Sequence, residues 1–455
     1  MPIRNAIGDD CRMSTEAHAP VGLPRDWLPE AARQREREIL DAAADKSLSW
    51  FDARVAALTE RNKEIHEREC INLNPATNVM NPRAEAAMSA GLGSRPSLGY
   101  PGDKYEMGLE AIEEIEVLAA ALACRVFAST YAEIRVGSGA LANAYAFLAT
   151  CAPGDSIIVP PASIGGHATH HRAGVAGLLG LDIHEMPIDA ERYTVDLDGL
   201  AAMAERVRPR LITIGASLNL IAHPVGAIHE IADRVGARVL FDAAHVCGLI
   251  AGGAWPNPLA EGADILTMST YKSLGGPPGG LVLTDDAELA QRIDKIAFPG
   301  LTANFDVGKA AALAIGLLDW LDCGPAYAEA MVSHASALAQ ALADHGLPVF
   351  RTALGPTTSH QFAIDAGRWG GGQAAAVRLR EANLLTCAIG LPDRAPMSGL
   401  RFGTPEVVRW GMPESDMATL AELVARALSS DPRDVAADVT ALRRPYDTVR
   451  FIRDH

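Results

Sequence analysis

A single lysine lies in a stretch of small residues, TMSTYKSLGGPPGG, which runs from Thr267 to Gly280. Lys272 follows an apolar run typical of a strand, and the glycines after it leave space beside its side chain. A lysine amine in such a place can form a Schiff base with an aldehyde cofactor, and the hydroxyls of Ser269, Thr270 and Ser273 could hold a phosphate. The alternative is a solvated lysine in a surface turn.

An aspartate and a glycine-rich turn offer two complementary groups. Asp242 ends the strand-like run RVLFD, three residues before His245. A buried carboxylate there could keep a pyridine nitrogen protonated, so that the ring accepts electrons; a structural cap is the alternative. The turn GSGA, which contains Ser138 and Gly139, joins a predicted strand to a predicted helix. Its amides and the helix dipole favour an anion.

A histidine and an arginine complete the candidate set. His167 lies in the loop SIGGHATHH, where a ring can stack on a cofactor. The alternative is a solvated loop histidine, for which His170 and His171 are the examples. Arg401 lies in SGLRFGTPE, and its guanidinium has the two-pronged geometry that binds a carboxylate. For Arg401 the alternative is a surface ion pair.

Composition limits the classes of function. The chain has 455 residues and a formal net charge of −16, which argues against nucleic acid and an anionic membrane as partners. It has no apolar run long enough for a transmembrane helix and no signal-peptide core, so we expect a cytoplasmic protein. Its seven cysteines include no CxxC pair and are expected to be reduced thiols. No metal site is expected.

Strand-like and helix-like runs alternate through the middle of the chain, which predicts an α/β fold with a mostly parallel sheet. We expect an N-terminal arm and helices over 1–75, with residues 1 to about 30 as a loose arm. A large domain then spans 76–320 and a smaller α+β domain 321–455. The strands are predicted at 132–136, 156–160, 181–186, 210–216, 238–244, 264–269 and 280–284, and the helices between them at 139–150, 196–207, 227–236 and 287–296.

The order of these motifs resembles the serine hydroxymethyltransferase family, pyridoxal-phosphate enzymes of fold type I, which is the aspartate aminotransferase-like fold. The resemblance covers roughly residues 65–430. It rests on GYPGDKY (99–105), GSGALAN (137–143), GGHATH (165–170), GAS (215–217), FDAAHVCGLIAGG (241–253), the lysine stretch, FPG (298–300) and GLRFGTP (399–405).

The resemblance implies a role for each candidate. Lys272 would bond covalently to pyridoxal phosphate, with Asp242 on the pyridine nitrogen and His245 near the ring's phenolic oxygen. The remaining assignments are His167 stacked on the ring, Ser138, Gly139 and Ser269 on the phosphate, Ser217 beside the cofactor, and Arg401 and Tyr100 at the substrate. It also implies a homodimer, or a dimer of dimers, whose active sites borrow residues from the neighbouring chain.

The departures from the family pattern lie at the substrate. Leu98 stands where the family has a glutamate, Ala76 where it has a serine, and Tyr271 where it has a histidine. Two family tyrosines correspond to Pro96 and Glu106, and the paired glycines given to the partner's phosphate correspond to Ala303 and Asn304. Losing a carboxylate acid or base costs on the order of 10²–10⁴ in the rate of its step. The folate-linked step is therefore expected to be absent.

The predicted reaction is cleavage of the Cα–Cβ bond of a β-hydroxy amino acid, which yields an aldehyde and glycine or alanine without tetrahydrofolate. The apolar replacements favour an α-branched substrate of the α-methylserine type, or a β-substituted one such as threonine. His167, Glu106 and Tyr271 are the candidate bases for the β-hydroxyl. Two alternatives stay open: a tetrahydrofolate-dependent hydroxymethyltransferase acting on serine, alanine or 2-methylserine, and a non-catalytic cofactor-binding protein.

Overall fold

A computed structural model describes residues 25–95 and 97–453. Most of the predicted N-terminal arm, and Pro96 among the substrate-site departures, therefore lie outside the described residues. Contacts within the chain divide it into two compact units, with the boundary between residues 67 and 68. The first unit contains two helices, as the sequence predicts for this region. The second unit contains all the residues of the candidate site.

The elements are numbered in chain order. The α-helices are α1 Glu30–Ala43, α2 Leu48–Lys63, α3 Pro82–Met88, α4 Glu110–Phe127, α5 Gly139–Thr150, α6 Val175–Leu178, α7 Leu197–Val207, α8 Val225–Val235, α9 Cys247–Ala251, α10 Ala287–Lys295, α11 Val307–Asp344, α12 Gly372–Glu381, α13 Pro405–Arg409, α14 Met417–Ser429 and α15 Ala436–Arg443. The strands are β1 Ile71–Asn72, β2 Gly99–Tyr100, β3 Asp103–Lys104, β4 Tyr131–Val136, β5 Ser156–Val159, β6 Asp182–Glu185, β7 Ile188–Asp189, β8 Thr194–Val195, β9 Leu211–Ile214, β10 Arg238–Asp242, β11 Ile265–Ser269, β12 Gly280–Thr284, β13 Gln361–Asp365, β14 Leu384–Leu385, β15 Cys387–Ile389 and β16 Gly399–Gly403.

A mostly parallel sheet forms the centre of the second unit, which confirms the predicted α/β class. Its strand order is β4-β12-β11-β10-β9-β5-β6. All neighbours are parallel except β12, which runs antiparallel to both β11 and β4. Every residue of β9, β11 and β12 is buried, because helices cover both faces of the sheet. The carboxyl ends of β4, β5, β9, β10 and β11 therefore meet along one edge.

The helices form where their apolar spacing lets them cover this sheet. In α8, Val225, Ile228, Ile231 and Ala232 are buried along one stripe, as expected for an amphipathic helix packed on strands. The helix ends at Gly236, whose φ of 71° is the left-handed conformation that favours glycine. The apolar spacing and the glycine at the C-terminal end both indicate a helix in this segment, so the predicted helix at 227–236 matches α8 closely.

A smaller antiparallel sheet, with the order β13-β16-β15, lies toward the C-terminus, with α12 against β15 and β16 and α11 against β13. The sequence predicts a long helix over 325–345, but α11 begins well before residue 325, because the chain continues as a helix through Gly324 and Pro325. These residues break isolated helices, but α11 has buried residues from Val307 to Leu342, and packing outweighs local preference. The domain boundary at 320/321 falls within α11 and stays a prediction.

The segments INLNPATNVMNP and SRPSLGYPGDKYEMG are predicted to be irregular because of their Pro and Gly residues, but both contain short elements. Pro82 opens α3, and the side chain of Asn81 caps it by accepting a hydrogen bond from the Arg83 amide. The motif GYPGDK forms the hairpin of β2 and β3. Among the described residues, no helix is long and apolar enough to cross a membrane, and the six cysteines form no disulfide bond.

Candidate active site

A cavity of about 210 Å³ opens where the chain leaves the carboxyl ends of five strands, the usual place for a ligand in such sheets. One loop each after β4, β5, β9, β10 and β11 contributes to its wall. The residues that line it are Ser138, Gly139, Ala140, Asn143, His167, Ala216, Ser217, Asp242, Ala244, His245, Ser269, Tyr271 and Lys272. Most of the predicted site residues, although far apart in sequence, therefore meet here.

Asp242 lies at the floor of this cavity, and its side chain is almost fully buried. Oδ2 accepts hydrogen bonds from Asn143 Nδ2 at 2.9 Å and His170 Nε2 at 3.1 Å, and Oδ1 accepts one from the Ala244 amide at 3.0 Å. Burial alone would raise the pKa of Asp242, but the hydrogen bond and charge of His170, with the Asn143 amide, hold it well below its usual range. The carboxylate stays ionised and can face a cationic ring nitrogen.

His170 corrects the sequence analysis, which took it for a solvated loop histidine. It is fully buried, with Nε2 on Asp242 and Nδ1 at 3.0 Å from Thr213 Oγ1. Phe147 packs edge-on against its ring. The prediction was wrong because the loop after β5 brings the His170 ring against Thr213 and Asp242. The buried carboxylate of Asp242 needs a hydrogen-bond donor at this point. His171, its neighbour, is half-buried with Nδ1 3.5 Å from Glu185.

Lys272 is buried and lines the same cavity as Asp242. Its Nζ lies 3.1 Å from His245 Nε2. Burial lowers the pKa of Lys272 to about 8, although the Asp242 charge partly opposes this shift. A much larger fraction of the amine is therefore unprotonated near neutral pH than in an exposed lysine, as a nucleophile requires. Gly275, with φ of 64°, closes the turn in which its amide donates to the Lys272 carbonyl.

His245 has an unused nitrogen. Burial, followed by the nearby Lys272 charge, lowers the pKa of His245 well below its ordinary value, so the ring is neutral. Its Nδ1 is buried and has no hydrogen-bond partner among the described residues. A buried polar atom without a partner is costly, which indicates a place for a polar group of a ligand.

The turn between β4 and α5 forms an anion cradle. Ser138 caps α5 by accepting a hydrogen bond from the Leu141 amide at 3.2 Å, and the amides of Gly139 and Ala140 begin the helix. A Cβ on Gly139 would lie 2.1 Å from Ser269 Oγ, so only glycine lets this hydroxyl approach the turn. The other two hydroxyls considered for the phosphate donate to backbone carbonyls instead. Thr270 donates to the Pro277 carbonyl, and Ser273 donates to the His245 carbonyl.

His167 and Tyr271 line the upper part of the cavity. The Thr169 amide donates to His167 Nδ1 at 3.3 Å, and Thr169 Oγ1 lies 2.8 Å from the same atom. Burial lowers the pKa of His167, which keeps the ring neutral. Since Nδ1 accepts, the single ring proton is on Nε2, and the free nitrogen is a donor.

Arg401 reaches the site from β16 and is buried. Its Nη1 donates to the carbonyl of Ser217, a residue of the cavity wall, and its Nε and Nη2 lie 3.3 and 3.1 Å from Cys387 Sγ. Arg401 is only 6% exposed, so its alternative reading as a surface ion pair does not hold. The positive charge is available to an anionic substrate.

Tyr100 and Glu106 are not brought to this cavity within one chain. Tyr100 is exposed, and its hydroxyl donates to Asp294 at 2.8 Å. Glu106 is half-buried beyond the hairpin, outside the cavity wall. Their predicted roles therefore depend on a second copy of the chain.

These features fit pyridoxal phosphate. The anion cradle suits its phosphate, the ionised Asp242 suits its ring nitrogen, the open Nδ1 of His245 suits a polar ring substituent, and Lys272 suits its aldehyde. No group of three or more metal-ligating side chains exists in the described part of the chain.

Comparison with known proteins agrees with this geometry. A family model described as serine hydroxymethyltransferase matches residues 48–424. An alpha-methylserine aldolase of Variovorax paradoxus is 58% identical over 437 residues, covering 95% of this chain and 99% of that protein. Another from Ralstonia sp is 52% identical over 434 residues, covering 94% and 99%. A serine hydroxymethyltransferase of Staphylothermus marinus is 38% identical over 401 residues, covering 87% and 91%.

The lowered pKa of Lys272 predicts how cofactor attachment depends on pH. The rate at which the apoprotein bonds pyridoxal phosphate should rise with pH and level off above pH about 8, because Nζ must be unprotonated to attack the aldehyde. Borohydride trapping followed by peptide mass spectrometry measures this rate at Lys272. The control is Nα-acetyl-lysine amide, which keeps a free side-chain amine, under the same conditions. A pH profile at Lys272 that follows the pH profile of the control would contradict the prediction.

The close approach at Gly139 predicts a selective loss of cofactor affinity. Gly139→Ala should raise the dissociation constant for pyridoxal phosphate about 10- to 100-fold, because Ser269 must turn away and its hydrogen bond to the charged phosphate is lost. Gly137→Ala is the matched control, since its Cβ would meet only the flexible end of Leu141 at 3.2 Å. Equal affinities for the two variants would show that the cradle does not hold the phosphate.

Proposed function

The chain belongs to the serine hydroxymethyltransferase family of fold type I pyridoxal-phosphate enzymes, and on this basis we propose that it is an aldolase that cleaves α-methylserine-type amino acids. The products are an aldehyde, formaldehyde in the case of α-methylserine, and the corresponding α-amino acid, alanine. Tetrahydrofolate takes no part. Activity of the pyridoxal-phosphate aldolase or hydroxymethyltransferase type follows from the family, and the substrate and the folate independence are the proposal.

The observation that carries the proposal is the 58% identity, over almost the full length of both chains, to relatives named alpha-methylserine aldolase. The serine hydroxymethyltransferase of Staphylothermus marinus is 38% identical to this chain. Leu98 and Ala76, in place of a glutamate and a serine of the family pattern, support the same choice, since a folate-linked step would lack its acid or base. A folate-dependent hydroxymethyltransferase is the alternative that the family match leaves open.

The cofactor, when bound, supplies an aldehyde that bonds to amines and a ring that accepts the electron pair left at Cα. We assign Ser138, Gly139 and Ser269 to its phosphate and Lys272 to its aldehyde. Asp242 would keep the ring nitrogen protonated, because its own pKa is held low by the donors around it. The ring then has the positive charge that favours electron acceptance.

Arg401 would orient the substrate through its carboxylate. Three of its N–H groups are already engaged, by the Ser217 carbonyl and by Cys387 Sγ. One N–H on each terminal nitrogen is left, which matches the two oxygens of a carboxylate. A substrate held in this way presents a fixed bond at Cα to the ring, and orientation of this kind accounts for much of the rate in such reactions.

The β-hydroxyl must lose its proton as the aldehyde leaves. Of the three candidate bases, His167 is disfavoured, because its free Nε2 carries a proton and donates. Tyr271 lines the cavity next to Lys272 and is the candidate that this chain offers directly. Glu106 becomes a candidate only in an assembly that places it in the cavity of another copy.

We propose a homodimer as that assembly. Tyr100 and Glu106, both predicted site residues, lie outside the cavity of their own chain. The side chains on either side of Glu106, Tyr105 and Met107, are exposed. Such exposed side chains are typical of a surface that another chain covers.

The role of folate can be tested directly. Dialysed enzyme should release formaldehyde from α-methylserine at the same rate with and without tetrahydrofolate. Formaldehyde is measured with a colorimetric reagent, and alanine by chromatography in equal amount. Serine is the comparison substrate, and a strict requirement for tetrahydrofolate would replace the proposal with the hydroxymethyltransferase alternative.

Tyr271 can be tested as the base. Tyr271→Phe should lower kcat for α-methylserine cleavage on the order of 10²–10⁴-fold, because the β-hydroxyl loses its proton acceptor. Exchange of the Cα hydrogen of alanine with deuterated solvent serves as the control, since that reaction involves no hydroxyl and should stay near the wild-type rate. Glu106→Gln is the comparison variant; if it alone abolishes cleavage, Glu106 of a second copy is the base.

A further inference from the structure

Cys387 lies against the guanidinium of Arg401, and the fold fixes this contact. The two residues are directly opposite each other in the antiparallel pair of β15 and β16. Sγ accepts from Nε at 3.3 Å and from Nη2 at 3.1 Å, so it covers one whole edge of the guanidinium. The sequence analysis gave this cysteine no role beyond a reduced thiol.

The sulfur is itself held in place from the other side. Its S–H donates to Asn74 Oδ1 at 3.0 Å, and the same oxygen accepts the Ala76 amide at 3.1 Å. Asn74 lies two residues after β1. Strand β1 pairs with β14, which ends two residues before Cys387. A chain of hydrogen bonds thus runs from the Ala76 amide through Asn74 and Cys387 to Arg401. Each donor and acceptor in this chain has a defined direction.

A thiol suits this position because it orients the arginine without neutralising it. Sulfur is a weak hydrogen-bond acceptor, and a neutral thiol leaves the guanidinium charge intact for a substrate. A carboxylate at the same point would form a strong two-pronged pair with Arg401 and compete with the substrate. With Ser217 engaging Nη1, the guanidinium plane is fixed on two sides.

We propose that Cys387 is a positioning residue that holds Arg401 with one N–H of each terminal nitrogen turned toward the substrate carboxylate. This inference rests on the proposed role of Arg401 and deepens it. The effect reaches the substrate only through the arginine, so it should appear in the binding of amino acids and be absent for amines without a carboxylate.

The test uses holoenzyme and two matched probes, alanine and ethylamine, which is alanine without its carboxylate. Binding is followed by the change in visible absorption of the cofactor. Cys387→Ala should raise the dissociation constant of alanine about tenfold and change that of ethylamine less than about twofold, because only the carboxylate depends on the orientation of Arg401. Cys387→Ser keeps a polar atom at the same point and should restore most of the affinity for alanine.

Cys124→Ala is the control for removing a thiol elsewhere, since Cys124 contacts the Thr130 carbonyl far from the cavity wall. Unchanged alanine binding in Cys387→Ala, or equal weakening of alanine and ethylamine, would overturn the inference. The measurement needs no bond cleavage. A wild-type enzyme that binds alanine but leaves α-methylserine intact would refute the proposed function without touching the role of Cys387.

Discussion

The structure of the site depends on keeping one carboxylate ionised inside an apolar sheet. Asp242 ends a buried strand, where the loss of water would normally favour its protonated form. Three donors compensate, from Asn143, His170 and the Ala244 amide, and they come from three different segments of the chain. Helix α5 and the loops after β5 and β10 must therefore meet at this point, and the same convergence forms the cavity. Fold and chemistry are coupled through this single charge.

The same burial shapes the other titratable groups around the cavity. It lowers the pKa of Lys272 to about 8, which supplies a nucleophilic amine, and it keeps His245 neutral. Asp242 and Arg401 consequently carry the fixed charges of the site, one suited to a ring nitrogen and the other to a carboxylate. A ligand that carries both a cationic ring nitrogen and a carboxylate could bridge between them.

Most of the central sheet and most of the residues that line the cavity could be predicted from the sequence, because apolar strands, glycine turns and motif order are local signals. The segments α3 and β2–β3, the early start of α11 and the burial of His170 could not. His170 looks like any loop histidine until the carboxylate that needs it is located in space. Cys387 likewise becomes informative only when strand pairing places it opposite Arg401. Sequence patterns identify which groups are present, whereas long-range contacts determine their hydrogen-bond partners.

The protonation state of the cofactor ring tests the central claim most directly. Holoenzyme reconstituted with pyridoxal phosphate that carries ¹⁵N in the ring can be studied by NMR across the stable pH range, in the wild type and in Asp242→Asn. A buried, ionised Asp242 predicts a ring nitrogen that stays protonated throughout in the wild type and loses its proton in the variant. A neutral ring nitrogen in the wild-type enzyme at neutral pH would contradict the account.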